Sequence, residues 1–134
     1  MKKLIMIAAT VAAAAAFAVG FSTTEFKTRI VTPPVAIASG TATTNAVDVA
    51  GFVGFGEIVA QYSAATTNCI FKATLEGTNT VDGGWSTINS MQAVGSTRGV
   101  IRLPLASIYL PPTIRVILDA AETNATASAI LISR

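Results

Sequence analysis

Asn79, Asp82 and Trp85 are the side chains whose types and spacing suit a binding site. They fall together in Gly77-Thr78-Asn79-Thr80-Val81-Asp82-Gly83-Gly84-Trp85, and Trp85 is the only tryptophan in the chain. An indole face can stack on a sugar ring or insert into a protein partner, while a neighbouring acid and amide take hydroxyl groups. Asp82 beside Gly83-Gly84-Trp85 is a sugar site in miniature on that reading. The same residues have a plainer use: Asn and Asp in a turn bond their own backbone, and an inward Trp85 is the largest core residue. Arg115 is the fourth candidate. Its forked guanidinium suits a subunit contact, and it equally suits pairing with Glu57, Glu76 or Asp119 across a sheet.

Most catalytic constellations are excluded by composition. The 134 residues include no histidine, so there is no Ser-His-Asp or Cys-His pair and no imidazole metal site. Carboxylates remain as the only general acids, with Asp119 near Glu122. Glycoside hydrolysis needs two carboxyls at a fixed separation across a cleft, and the sequence gives no sign of that cleft. The expectation is a protein that is not an enzyme and uses no cofactor or metal. Cys69 is the single cysteine, so no disulfide can form within the chain. It reads as a buried thiol, with an intermolecular disulfide as the alternative.

Cys69, Phe71, Ala73 and Leu75 alternate with Ile70, Lys72, Thr74 and Glu76, the period of a strand buried on one face. The rest of the chain follows this grammar. Glu25 to Thr32 predicts a first strand stopped by Pro33-Pro34, Val35 to Ala38 a short strand, and Ser39 to Asn45 a polar loop. Ala46 to Phe52 and Phe55 to Ser63 predict two strands. Ala64 to Asn68 then reads as a hairpin loop into the strand at Cys69, and Thr78 to Gly84 as a tight reversal. Trp85 to Asn89 resumes extended structure and Met91 to Val94 continues it. Val100 to Leu105 reads as a strand near an edge because of Pro104, and 106–110 as a connection. Thr113 to Asp119 and Ala125 to Ser133 complete the pattern around a turn at Ala120 to Asn124. Eight or nine short strands without a helical period predict an all-β antiparallel β-sandwich, with a jelly-roll-like order preferred to an immunoglobulin-like one.

Met1-Lys2-Lys3 followed by the apolar run Leu4 to Phe21 predicts an N-terminal hydrophobic signal helix over residues 1–22, leaving a single domain at 23–134. Cleavage after Ala16, Ala18 or Ser22 fits. The alternative is a retained anchor, in which case residues 4–21 are the membrane contact. An exported protein is expected, in the periplasm, at the cell surface or outside the cell. The net charge is +2 for the full sequence, but beyond residue 22 seven cations meet seven anions. A neutral surface without basic clusters does not suit nucleic acid. Inward positions are often alanine, and outward Val59, Ile70 and Ile117 leave apolar surface in water. Both features point to a homo-oligomer or a docked protein partner.

The run Leu75 to Ile88, then Leu110-Pro111-Pro112-Thr113-Ile114-Arg115-Val116-Ile117-Leu118, then Ala127 to Ile132 resembles small β-sandwich proteins encoded in structural modules of tailed phages and prophages. Those commonly show a strand with a short "sxDGxxWxxI" hairpin, a later "yIRV" strand and a closing apolar strand. Val47 to Phe52 looks like their entry segment. The resemblance covers Val47 to the C-terminus. It implies a virion-associated structural or decoration role without catalysis, and it assigns no functional residues. Together with the leader it gives the first functional expectation, a non-enzymatic assembly subunit, virion-associated or on an exported surface. The second is a secreted carbohydrate-binding or adhesive module that uses Trp85 and the 77–84 loop to hold a glycan.

Overall fold

A computed structural model of the chain describes residues 27–49, 56–79, 81–105 and 111–133. The expected leader, the 50–52 end of the strand from Ala46 and the 106–110 connection lie outside these residues. Eight strands are described: β1 (Lys27–Ile37), β2 (Thr41–Asp48), β3 (Gly56–Ala64), β4 (Ile70–Thr78), β5 (Trp85–Val94), β6 (Arg98–Pro104), β7 (Thr113–Ala121) and β8 (Ala125–Ser133). They form two four-stranded antiparallel sheets, one in the order β1-β8-β3-β6 and the other β2-β7-β4-β5. Only β4 and β5 are consecutive strands of one sheet; every other connection crosses to the opposite sheet. That alternation is the double-sheet order of a jelly roll. No helix occurs among the described residues.

The core follows from the alternation. In β4, Phe71, Ala73 and Leu75 have no exposure, and in β7 neither do Ile114, Val116 and Leu118. Facing them are Ile58, Ala60 and Tyr62 of β3, Leu103 of β6, and Ala127, Ala129 and Leu131 of β8, all buried. Between the sheets the Tyr62 and Phe71 rings stack, with centroids 4.4 Å apart and planes 21° from parallel. Cys69 belongs to this core with no exposure, and burial pushes its thiol pKa up. A thiol held there cannot reach another chain unless the sandwich opens.

Several sequence expectations change for physical reasons. Pro33-Pro34 does not end the first strand, which runs on to Ile37. β1 is an edge strand, and its register against β8 slips between Ile30 and Thr32 and again between Thr32 and Val35. A bulged edge tolerates residues that cannot donate to the ladder. The loop expected over Ser39 to Asn45 shrinks to a turn in which Gly40 has φ +76°, and β2 starts at Thr41. Threonine is polar but β-branched, and it suits a pleated surface. Ala64 to Asn68 does not close a hairpin, because β3 and β4 lie in different sheets. Val59 does point outward but is only 6% exposed. It sits mid-sheet, in register with Ile130 on one side and Arg102 on the other.

Candidate functional site

The β4–β5 hairpin is built by the polar residues of its turn. The Asn79 amide N–H donates to the Gly84 carbonyl at 2.7 Å, and the Gly83 N–H donates to the Asn79 carbonyl at 2.9 Å. The Asn79 side-chain oxygen accepts from the Val81 N–H at 2.9 Å, and Asp82 Oδ1 accepts from the Gly84 N–H at 2.9 Å. Asn79 Nδ2 also donates to Ser86 Oγ at 3.3 Å. Gly83 takes φ +70°, a left-handed conformation that glycine adopts without a Cβ clash. Asn79 and Asp82 therefore use acceptors to hold the loop in shape, although Asp82 stays exposed.

Trp85 opens β5 in register with Thr78 and is half-buried on the solvent side of its sheet. Arg115 of β7 reaches over it, with the guanidinium carbon 4.4 Å from the ring centroid. Between them lies Glu76 of β4, directly across from Arg115, and Arg115 Nε donates to Glu76 Oε2 at 2.5 Å. Trp85 lies diagonally from Glu76, whose β5 partner is Thr87, and the three side chains cluster on one face of β7, β4 and β5. Of the partners open to Arg115 in the sequence, Glu76 is the one it meets; Glu57 pairs instead with Arg102 at 3.2 Å. Side-chain exposures of 29% for Arg115 and 15% for Glu76 keep the pair partly out of water. A cation over an indole contributes about 0.5–2 kcal/mol, depending on how dry it is. Trp85 is thus neither a core residue nor an open platform, since a fixed cation covers one ring face.

The structure brings Trp85 and Arg115 together, with Asn79 and Asp82 shaping the loop beside them. A bulge between Leu75 and Glu76 in the pairing with β5 leaves Ile88 packed against the core. A separate cleft of about 490 Å³ opens where β1 and β3 end and β8 begins. Small side chains such as Ala36, Ala38 and Ala65 line it, and its Asn124 is engaged by the Ser39 N–H at 2.9 Å. Its lining carries no ionisable side chain.

Sequence reasoning missed a second feature. The exposed large hydrophobic residues among those described are Ile30 at 65%, Val81 at 92%, Met91 at 47%, Val94 at 62% and Val100 at 54%. Val81 is at the hairpin tip, and the other four lie on the edge strands β1, β5 and β6. The signal that could have found them is the flanking chemistry: Met91 and Val94 stand in an uncharged stretch, Asn89-Ser90-Met91-Gln92-Ala93-Val94.

No protein-family profile matches the sequence, and no curated protein matches it. Solved structures share the fold. A chain of the infectious bursal disease virus VP2 subviral particle is 12% identical with a TM-score of 0.51, over 81% of this chain and 32% of that one. The Gx strain of the same virus gives 13% identity and a TM-score of 0.53, again over 81% of this chain and 32% of the other. This chain therefore spans about a third of those viral chains. The carbohydrate-binding module CBM36, in complex with calcium and xylotriose, is 12% identical with a TM-score of 0.47, over 80% of this chain and 99% of that one. At these identities the viral likeness shows the fold, a two-sheet all-β sandwich.

Proposed function

We propose that the chain is a non-enzymatic structural subunit, virion-associated or exported to a surface, that works by binding copies of itself or a larger protein particle. The observation that carries this reading is the placement of exposed apolar side chains on sheet edges. Apolar area left in water costs about 25 cal/mol per Å² relative to burial. An edge strand adds a row of backbone N–H and C=O groups without partners in its own sheet. The two together favour association by extension of a sheet, and the fold shared with chains of a viral particle supports it. Export rests on the sequence pattern of residues 1–22.

Sedimentation velocity over a roughly hundredfold concentration range tests the proposal. The sedimentation coefficient is expected to rise with concentration toward that of a defined oligomer; a monomer throughout would count against the reading. One observation favours the second reading, glycan binding through Trp85 and the 77–84 loop: Trp85 lies on the solvent side of its sheet rather than in the core. Against it, Arg115 already takes the stacking position on one ring face. Glycan titration is expected to leave Trp85 emission unchanged.

A further inference from the structure

The four sheet edges differ in how they are protected. Natural edges are blunted by charge, proline or bulges, or by covering. β1 carries Lys27, Arg29, Pro33, Pro34 and two register slips. β6 carries Arg98, Arg102 and Pro104. β2 exposes no large apolar residue and is tied to β1, where Asn45 Nδ2 donates to Thr32 Oγ1 at 3.4 Å and Arg29 donates to the Asp48 carbonyl. β5 differs from all three. Its ten residues, Trp-Ser-Thr-Ile-Asn-Ser-Met-Gln-Ala-Val, include no charge and no proline. Its one bulge lies near its start, and from Asn89 to Val94 it runs without a slip against Leu75 to Ile70.

We infer that β5 pairs with β5 of a second copy of this chain, antiparallel and about a two-fold axis through Met91. The inference rests on the assembly reading above and names its surface and its partner. The occupant is argued from β5 itself. A two-fold contact sets the same patch against itself, so a charged edge would meet its own sign, whereas β5 meets none. In an antiparallel pair, residues directly opposite share a face. Centring on Met91 places Met91 against its copy, Ser90 against Gln92 and Asn89 against Ala93, each pair of one parity. Ser90 lies on the solvent side, where its hydroxyl bonds Thr74 Oγ1 at 3.1 Å; a hydroxyl retains capacity for the amide of Gln92. The bulge at Ile88 ends the matched stretch on one side and the Gly95 turn, φ +77°, ends it on the other. The contact covers Met91, and Val94, near the end of the same strand, lies at its rim. It joins the β2-β7-β4-β5 sheets of two copies into one of eight strands.

The test compares the native masses of the full chain and of the double variant Met91→Lys, Val94→Lys, with circular dichroism to show that the fold is kept. The lysines are expected to halve the mass of a two-copy species, or to remove the two-copy step from a larger assembly. A variant that assembles as the wild type does would overturn the β5 contact and leave the assembly reading standing. A wild type that is monomeric at every concentration would overturn both. Met91→Cys supplies a second readout that does not depend on losing the contact. Opposed Cα atoms of antiparallel strands lie about 4.5–5.5 Å apart, within disulfide reach. Diamide takes one hydrogen from each of two thiols, becoming the hydrazine as the S–S bond forms. A linked dimer is expected from Met91→Cys and not from the exposed control Thr44→Cys on β2, and Cys69 is too buried to compete. No linkage at Met91→Cys, or equal linkage at both positions, would overturn the inference.

Discussion

Replacing Phe71 by alanine is expected to lower the unfolding free energy by about 3–5 kcal/mol, the range for a buried aromatic truncated in a packed core. Phe71 has no exposure, and its ring stacks on Tyr62 across the gap between the sheets. The neighbours at that level are small: Ala73 follows on β4, Ala60 lies beside Tyr62 on β3, and Ala120 is opposite on β7. None can reach into the space the ring leaves, so the cavity persists and the cost falls in the upper part of the range. Domains of this size are stable by about 5–15 kcal/mol in total, so one substitution removes a large share. Urea unfolding followed by circular dichroism gives the number. A loss below about 1 kcal/mol would mean that the sheets do not meet at this ring.

Gly77→Val is expected to destabilise by about 1–3 kcal/mol or more, and here the sign is as informative as the size. A glycine inside a strand ordinarily weakens it, through lost conformational entropy and a missing side chain, so a β-branched replacement with room to fit would stabilise. At Gly77 there is no room. A Cβ would collide with Pro111 Cγ and lie 2.8 Å from Ile88 Cδ1. Pro111 is buried, and its ring cannot swing aside as a flexible side-chain end can. Ile88 is packed against the core by the β5 bulge. The midpoint of urea unfolding is expected to fall for Gly77→Ala and further for Gly77→Val. A rise for either would show that Pro111 and Ile88 do not close on this strand.

One-sided burial writes itself into sequence as a period of two, which is why β4, β7 and β8 could be read from Cys69 to Glu76, Thr113 to Asp119 and Ala125 to Ser133. What could not be read depends on a strand's neighbours. Pro33-Pro34 signals a stop unless β1 is known to be an edge with slipped register against β8. Thr41-Ala42-Thr43-Thr44-Asn45 has the polarity of a loop, and only its pairing with β7 makes it a strand. Ala64 to Asn68 has a hairpin's composition, but the choice between a hairpin and a crossover is made by the partners of β3 and β4.

The candidate site divides in the same way. Asn79, Asp82 and Gly83 act on residues two to four positions away, so their turn-building role was legible. For Trp85, core and open platform were the readings a local sequence allows. The Arg115 cover requires β7 to lie next to β4 and β4 next to β5, which no stretch of residues around Trp85 encodes. The uncharged stretch from Asn89 to Val94 carries meaning only once β5 is placed at the end of its sheet, so the sequence by itself does not mark it as an edge.

Amide hydrogen exchange of the wild-type chain, compared between dilute and concentrated solution, tests most directly the claim that this sandwich works by contact through its edges. Amides from Asn89 to Val94 are expected to exchange more slowly as concentration rises, while those of the hairpin turn at 81–84 do not change. Exchange independent of concentration along β5, with protection appearing at the turn and Trp85 when glycan is added, would contradict it.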